Sequence, residues 1–287
     1  MDRFPFLLCS MLGLLLIPPG CKNYDAADGS AKGQTVNEQA DGQDYDFENR
    51  ADGKPWELEY IDTSIAYLTG KFNPETDSVF TLIDESKADR GGLYLRKDTY
   101  RAFLAMDSAA RSEGIILQIR SATRNFEYQK GIWERKWNGE TPVENGEKLS
   151  ETTPDPVERA LKILRYSAMP SASRHHWGTD IDLNNFSNSY FEKGEGLRLY
   201  QWLQKHGPEY GFRQPYTPKD AERPDGYNEE KWHWSFYPVS DILTAFAARH
   251  LKDEMITGFS GSETAPKIEV VKKYVLGINP ELLPQTE

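Results

Sequence analysis

The sequence predicts an α+β fold in which a small antiparallel sheet is flanked by helices. Two observations carry this. Along residues 55–287, strand-like and helix-like segments are interleaved, but the strands are few and short and lack the regular alternation that a parallel βαβ sheet requires. The same stretch has no internal repeat and no long low-complexity run, and its length suits one domain.

Trp56, Leu58 and Tyr60 alternate with polar residues, and Ile65, Leu68 and Phe72 follow at helical spacing, forming an N-terminal packing segment. Tyr100, Phe103, Leu104 and Met106 predict a helix over 97–113, which Gly114 would stop. Residues 115–119 are β-branched and bounded by that glycine, and read as a strand. Phe126, Gln129, Ile132 and Trp133 predict a helix over 125–137, and the polar stretch 138–155 a long surface loop. Pro156 suits a first helical turn, and Val157, Leu161 and Leu164 carry that helix to 168. A strand over 180–183, a helix over 194–206 ended by Gly207-Pro208, a strand over 232–236 and helices over 241–251 and 266–275 complete the order.

With 38% apolar and 28% charged residues, the 287-residue chain is not wholly disordered. Its net charge of −11 argues against a nucleic-acid partner, whose footprint is basic. Both cysteines, Cys9 and Cys21, fall in the first 21 residues, so the domain has neither a disulfide framework nor a thiolate metal site. Residues 6–17 form an apolar run with the length of a signal-peptide core, short of the roughly 20 residues a spanning helix needs. Pro18-Pro19-Gly20-Cys21 resembles the lipobox of bacterial lipoproteins. That resemblance implies a signal peptide over 1–20 and a lipid anchor at Cys21, the only membrane attachment expected, on an exported protein of the cell envelope. A plain secretory signal cut nearby is the alternative. Residues 21–54 are polar and acidic and read as a disordered tether.

Metal-competent residues concentrate in two segments, Ser173-Arg-His175-His176-Trp-Gly178-Thr-Asp180-Ile-Asp182 and Glu230-Lys-Trp-His233-Trp234. A catalytic zinc site needs three N/O ligands, an open position and a nearby carboxylate, and these residues meet the requirement. On a strand, Asp180 and Asp182 share one face while Ile181 and Leu183 take the other. Glu230 and His233 would face oppositely on a regular strand, so a shared site places Glu230 at a bend or ahead of the strand. Each piece has a plainer reading: a loop histidine pair is more often surface polar, and Trp-His-Trp can be core packing.

The two segments resemble the S-x-H-x-x-G-x-A-x-D and E-x-x-H-W motifs of D-alanyl-D-alanine carboxypeptidases of the VanY type, in the zinc peptidase group with lysostaphin-type enzymes and the hedgehog domain. Ser121-Ala-Thr-Arg124-Asn-Phe-Glu-Tyr-Gln129 is similar to the family's S-x-x-R-S-x-x-x-Q stretch. The resemblance covers roughly 64–236 and implies a hedgehog/DD-peptidase-like fold. It further implies Zn2+ on His175, Asp182 and His233, with Glu230 as general base. Arg124 would take the substrate carboxylate, and Gln129 and Ser173 would hydrogen-bond the peptide. His176 and Trp177, beside a ligand, are expected as supporting or cleft-wall groups. Asp180 stands where the family pattern has alanine, either accepting a hydrogen bond from a ligating histidine or competing with Asp182 for the metal.

The implied reaction removes the terminal D-amino acid from peptidoglycan stem peptides. An L,D-carboxypeptidase and a peptidoglycan endopeptidase would share the zinc site. A non-catalytic, zinc-stabilised wall-binding module is a further alternative, against which Glu230 speaks, since binding alone needs no base.

Overall fold

The computed structural model describes residues 57–283. The expected signal peptide, Cys21 anchor and tether lie outside the described residues, as does Trp56. Among the described residues no helix is long and apolar enough to cross a membrane.

Helix α1 (Ile65–Leu68) is capped by the Ser64 side chain. Strands β1 (Phe80–Leu82) and β2 (Tyr94–Arg96) form an antiparallel pair, and β2 runs directly into α2 (Lys97–Ser112). Phe103, Met106 and Ala110 make the buried face of α2. Gly114 ends it at φ 71°, where a side chain would be strained. Helix α3 (Phe126–Trp137) starts at Asn125, whose side chain accepts from Tyr128 N at 3.0 Å. After a short α4 (Leu149–Thr152), α5 (Pro156–Ile163) combines an Asp155 cap with proline in its first turn.

A four-stranded antiparallel sheet has the order β3-β4-β6-β5, from β3 (Ile119–Ser121), β4 (Asp180–Leu183), β6 (His233–Phe236) and β5 (Phe212–Arg213). Helix α6 (Gly194–His206) lies between β4 and β5 in the chain, and α7 (Tyr237–His250) follows β6. Asp182 pairs with His233, Ile181 with Trp234 and Asp180 with Ser235. Cross-strand partners share a face, so this register puts Asp180, Asp182, His233 and Ser235 on one side. Ile181 and Trp234 enter the core on the other, both nearly fully buried.

Five boundaries differ from expectation. The strand predicted over 115–119 pairs only from Ile119, because Asn184 replaces the ladder before it: its side chain accepts from Gln118 N and donates to Ile116 O. Helix α5 stops at Ile163 rather than 168, and the chain turns so that Ala168 O accepts from the Gln129 amide at 2.8 Å. The loop 138–155 contains α4, anchored by fully buried Leu149. The last predicted helix breaks into α8 (Ala265–Ile268) and a π turn, Val271–Val275, with Glu269 at φ 62° between them. Asp253 Oδ1 captures the Val271 N–H at 2.7 Å, a donor that a continuous helix would need. Helix α7 also begins four residues early, at Tyr237, with Pro238 in its first turn.

Candidate metal centre and cleft

His175 lies on a 3-10 turn, Arg174–Trp177, which Gly178 joins to β4. Gly178 is at φ 70°, and a Cβ there would run into the Phe80 ring. The glycine therefore lets the turn approach closely enough for His175 to face Asp182. Glu230 precedes β6, and His233 N donates to Glu230 O at 3.2 Å. This bend brings two side chains three residues apart to one point, with His233 Nδ1 3.2 Å from Glu230 Oε2.

One ligand-competent atom from each of His175, Asp182 and His233 lies within 4.8 Å of the others, and all three residues are buried. His175 Nδ1 bonds to Ala122 O at 2.8 Å, leaving Nε2 to face Asp182 Oδ2 at 3.3 Å. His175 Nε2 and Asp182 Oδ1 are buried without a hydrogen-bond partner. Orphaned acceptors turned toward one another fit a cation between them. His233 completes the group, with Nδ1 3.3 Å from Asp182 Oδ1 and Nε2 2.8 Å from Asp180 Oδ2.

Asp180 lies behind the three-residue group rather than in it. Its Oδ2 also accepts from Arg174 Nε at 3.2 Å, and its Oδ1 from Ser235 and Thr179 hydroxyls. Arg174 continues this buried network to Thr244 Oγ1 and Ser235 Oγ, each at 2.9 Å, and stacks over Trp177. Neither Arg174 nor its charge relation to Asp180 was singled out in the sequence. An arginine and an aspartate flanking one short turn-and-strand were the available signal.

The charges follow from this packing. Burial pushes Asp180 up, but Arg174 and His233 outweigh it and hold its carboxyl well below the usual range. Burial likewise opposes ionisation of Asp182, yet His175, His233 and Arg124 hold it at about 2. Burial disfavours charge on His233, but Asp180, Glu230 and Asp182 raise it to about 9. Burial and Arg124 push His175 down against the pull of Asp182. Burial raises Glu230, opposed by His233.

Asp182 and Glu230 open onto a cleft of about 650 Å³ that Arg124 also lines. Arg124 Nη2 is 3.8 Å from Asp182 Oδ2, and its buried Nε has no hydrogen-bond partner among the described residues. Gln129 and Ser173 are buried and do not line this cleft; Gln129 instead ties α3 to Ala168. His176 is buried too, clasping Arg124 O with Nδ1 at 2.5 Å. Trp177 belongs to the core, its indole N–H donating to Leu68 O. Cleft residues that the sequence did not reveal include Lys136, Tyr166, Ser167, Phe186 and Trp232.

The family model for VanY, D-alanyl-D-alanine carboxypeptidase, matches residues 92–239. The putative carboxypeptidase YodJ of Bacillus subtilis is 29% identical over 143 residues, covering 49% of this chain and 45% of that protein. An uncharacterized protein of Haemophilus influenzae is 35% identical over 78 residues, covering 26% of this chain and 53% of that protein. The chain thus spans about half the length of these curated relatives. Among solved structures, VanYB in complex with D-alanine-D-alanine aligns at 21% identity and TM-score 0.42, covering 59% of this chain and 85% of that one. The LD-carboxypeptidase LdcB aligns at 22% and 0.43, covering 59% and 74%.

Proposed function

Because the chain belongs to the VanY family of D-alanyl-D-alanine carboxypeptidases, we propose that it is an exported zinc carboxypeptidase that removes the terminal D-amino acid from peptidoglycan stem peptides. One observation carries the reading: the buried His175, Asp182 and His233 group stands beside Glu230 at the floor of a cleft that also presents an incompletely partnered arginine, Arg124. In this reading His175, Asp182 and His233 would hold Zn2+. Bound there, the ion would lower the pKa of a water toward about 7 and polarise the scissile carbonyl.

The chain's own groups do the rest. Arg124 holds the C-terminal carboxylate of the peptide, since a guanidinium presents two parallel donors to it. Glu230 takes the water's proton on its carboxylate and passes it to the leaving amine. Burial favours the protonated carboxyl, which helps Glu230 retain that proton between the two transfers. Asp180 fixes His233 with Nδ1 directed toward Asp182. Residues 1–20 direct export, and Cys21 with the acidic stretch to 54 anchors and tethers the domain near the wall.

The test is incubation of the purified protein with tri-, tetra- and pentapeptide stems, with products identified by mass. Release of D-Ala from the pentapeptide, abolished by a chelator and reduced at least 100-fold in Glu230→Ala, is the expected result. Cleavage of the tetrapeptide instead would assign L,D-carboxypeptidase activity, and an internal cut an endopeptidase. Bound zinc without turnover of any stem would indicate a binding module.

A further inference from the structure

Lys136 is a cation in the cleft that the proposed reaction leaves unused. It lies one turn beyond Ile132 on α3, and both residues line the cleft with Arg124 and Glu230. Its Nζ donates to Ser167 Oγ at 2.5 Å, and it forms no ion pair among the described residues. The remaining cleft acid, Glu144, is engaged by Arg165 at 3.0 Å and does not neutralise it. Burial and the nearby Arg124 both pull the lysine below its usual pKa, with Glu230 opposing. A half-buried ammonium that donates to a neutral hydroxyl gains from a carboxylate more than an exposed lysine does.

We propose that Lys136 and Ser167 form a second anion subsite, so that the preferred substrates carry a side-chain carboxylate upstream of the scissile bond. This rests on the carboxypeptidase reading, in which Arg124 takes the terminal carboxylate. The spacing sets the position. Lys136 is about 15 Å along α3 from its first residue, at about 1.5 Å per residue, and helical side chains lean back toward the N-terminus. Arg124 precedes α3 and its charge acts on Lys136, so the two cationic heads are within a Debye length, about 10 Å, of one another. An extended peptide advances about 3.3–3.6 Å per residue, which places the second carboxylate two to three residues before the C-terminus. Ile132, Phe186 and Trp232 add apolar wall to the same cleft.

The test compares two pentapeptides ending in D-Ala-D-Ala that differ only in the third side chain, a carboxylate in one and the matching carboxamide in the other. The wild-type protein is expected to favour the acid about tenfold in kcat/KM, mainly through KM, with the ratio shrinking at high salt. Lys136→Met brings the ratio near one, and Lys136→Arg keeps it well above one. Equal turnover of both peptides by the wild type overturns the subsite alone, as does a tenfold ratio that survives in Lys136→Met. Should Lys136→Met fail to fold, the wild-type ratio and its salt dependence still decide. No turnover of either peptide overturns the carboxypeptidase reading and the subsite together.

Discussion

Asp180 Oδ2 accepts from both His233 Nε2 and Arg174 Nε, so the imidazole is held from behind while Nδ1 is left toward Asp182. Supports of this kind orient a ligand without touching the metal, and their loss commonly costs 10–100-fold in affinity. Asp180→Ala is therefore expected to weaken zinc binding by that factor, measured by competition with a chromogenic chelator, and Asp182→Ala to remove it. Zinc lost in Asp180→Ala but retained in Asp182→Ala would reverse the two roles. The candidate metal group and its neighbour Glu230 were legible because each sits in a short segment where neighbouring residues constrain one another. Arg174 and Lys136 were not, because their meaning depends on distant partners: Thr244 lies 70 residues from Arg174, and Ser167 lies 31 from Lys136.

Among the elements, the link from the Arg174–Trp177 turn into β4 sets the distance between His175 and Asp182. Gly178 at φ 70° packs against Phe80 and Arg96. Gly178→Ala would add backbone strain of about 1 kcal/mol and force the Phe80 contact apart, for a total loss of roughly 3 kcal/mol. Urea unfolding measures this, and a loss below about 1 kcal/mol would show that the turn tolerates a side chain. Zinc affinity should fall in the same variant, since the turn carries His175, one of the three proposed ligands. Local signals read well at this scale when they are chemical caps: Asn125, Pro156 and Gly114 each mark a helix end within one residue. They failed at Glu269, where Asp253, sixteen residues earlier, takes the Val271 donor out of the helix, and at 115–119, where Asn184 stands in for a strand partner.

At the scale of the molecule, the core is rich in buried phenols. Burial pushes Tyr67 up to about 12, against the pull of Arg96, and pushes Tyr200 to about 12 as well, while Tyr216 and Tyr227 are raised well beyond the ordinary value. An unfolded tyrosine ionises near pH 10, so stability from these residues is intact below that pH and is lost as pH rises from 10 toward 12. For Tyr67 the loss approaches about 3 kcal/mol across that interval. Urea midpoints taken from pH 8 to 12 should fall steeply above 10, and Tyr67→Phe should flatten the fall while lowering the midpoint at pH 8. A Tyr67→Phe slope equal to that of wild type would place the alkaline sensitivity elsewhere. The α+β class was readable from the order of elements, but not the convergence of their ends: Arg124 N bonds to His175 O at 3.0 Å, His176 clasps Arg124 O, and Ala122 O bonds to His175 Nδ1. Those three bonds, one between backbone groups and two from buried imidazole rings to backbone carbonyls, weld the arginine to the histidine as two jaws of a caliper. A ligand gripped at both jaws is gauged for length, and one that is a residue too long or too short meets a frame with no slack to share.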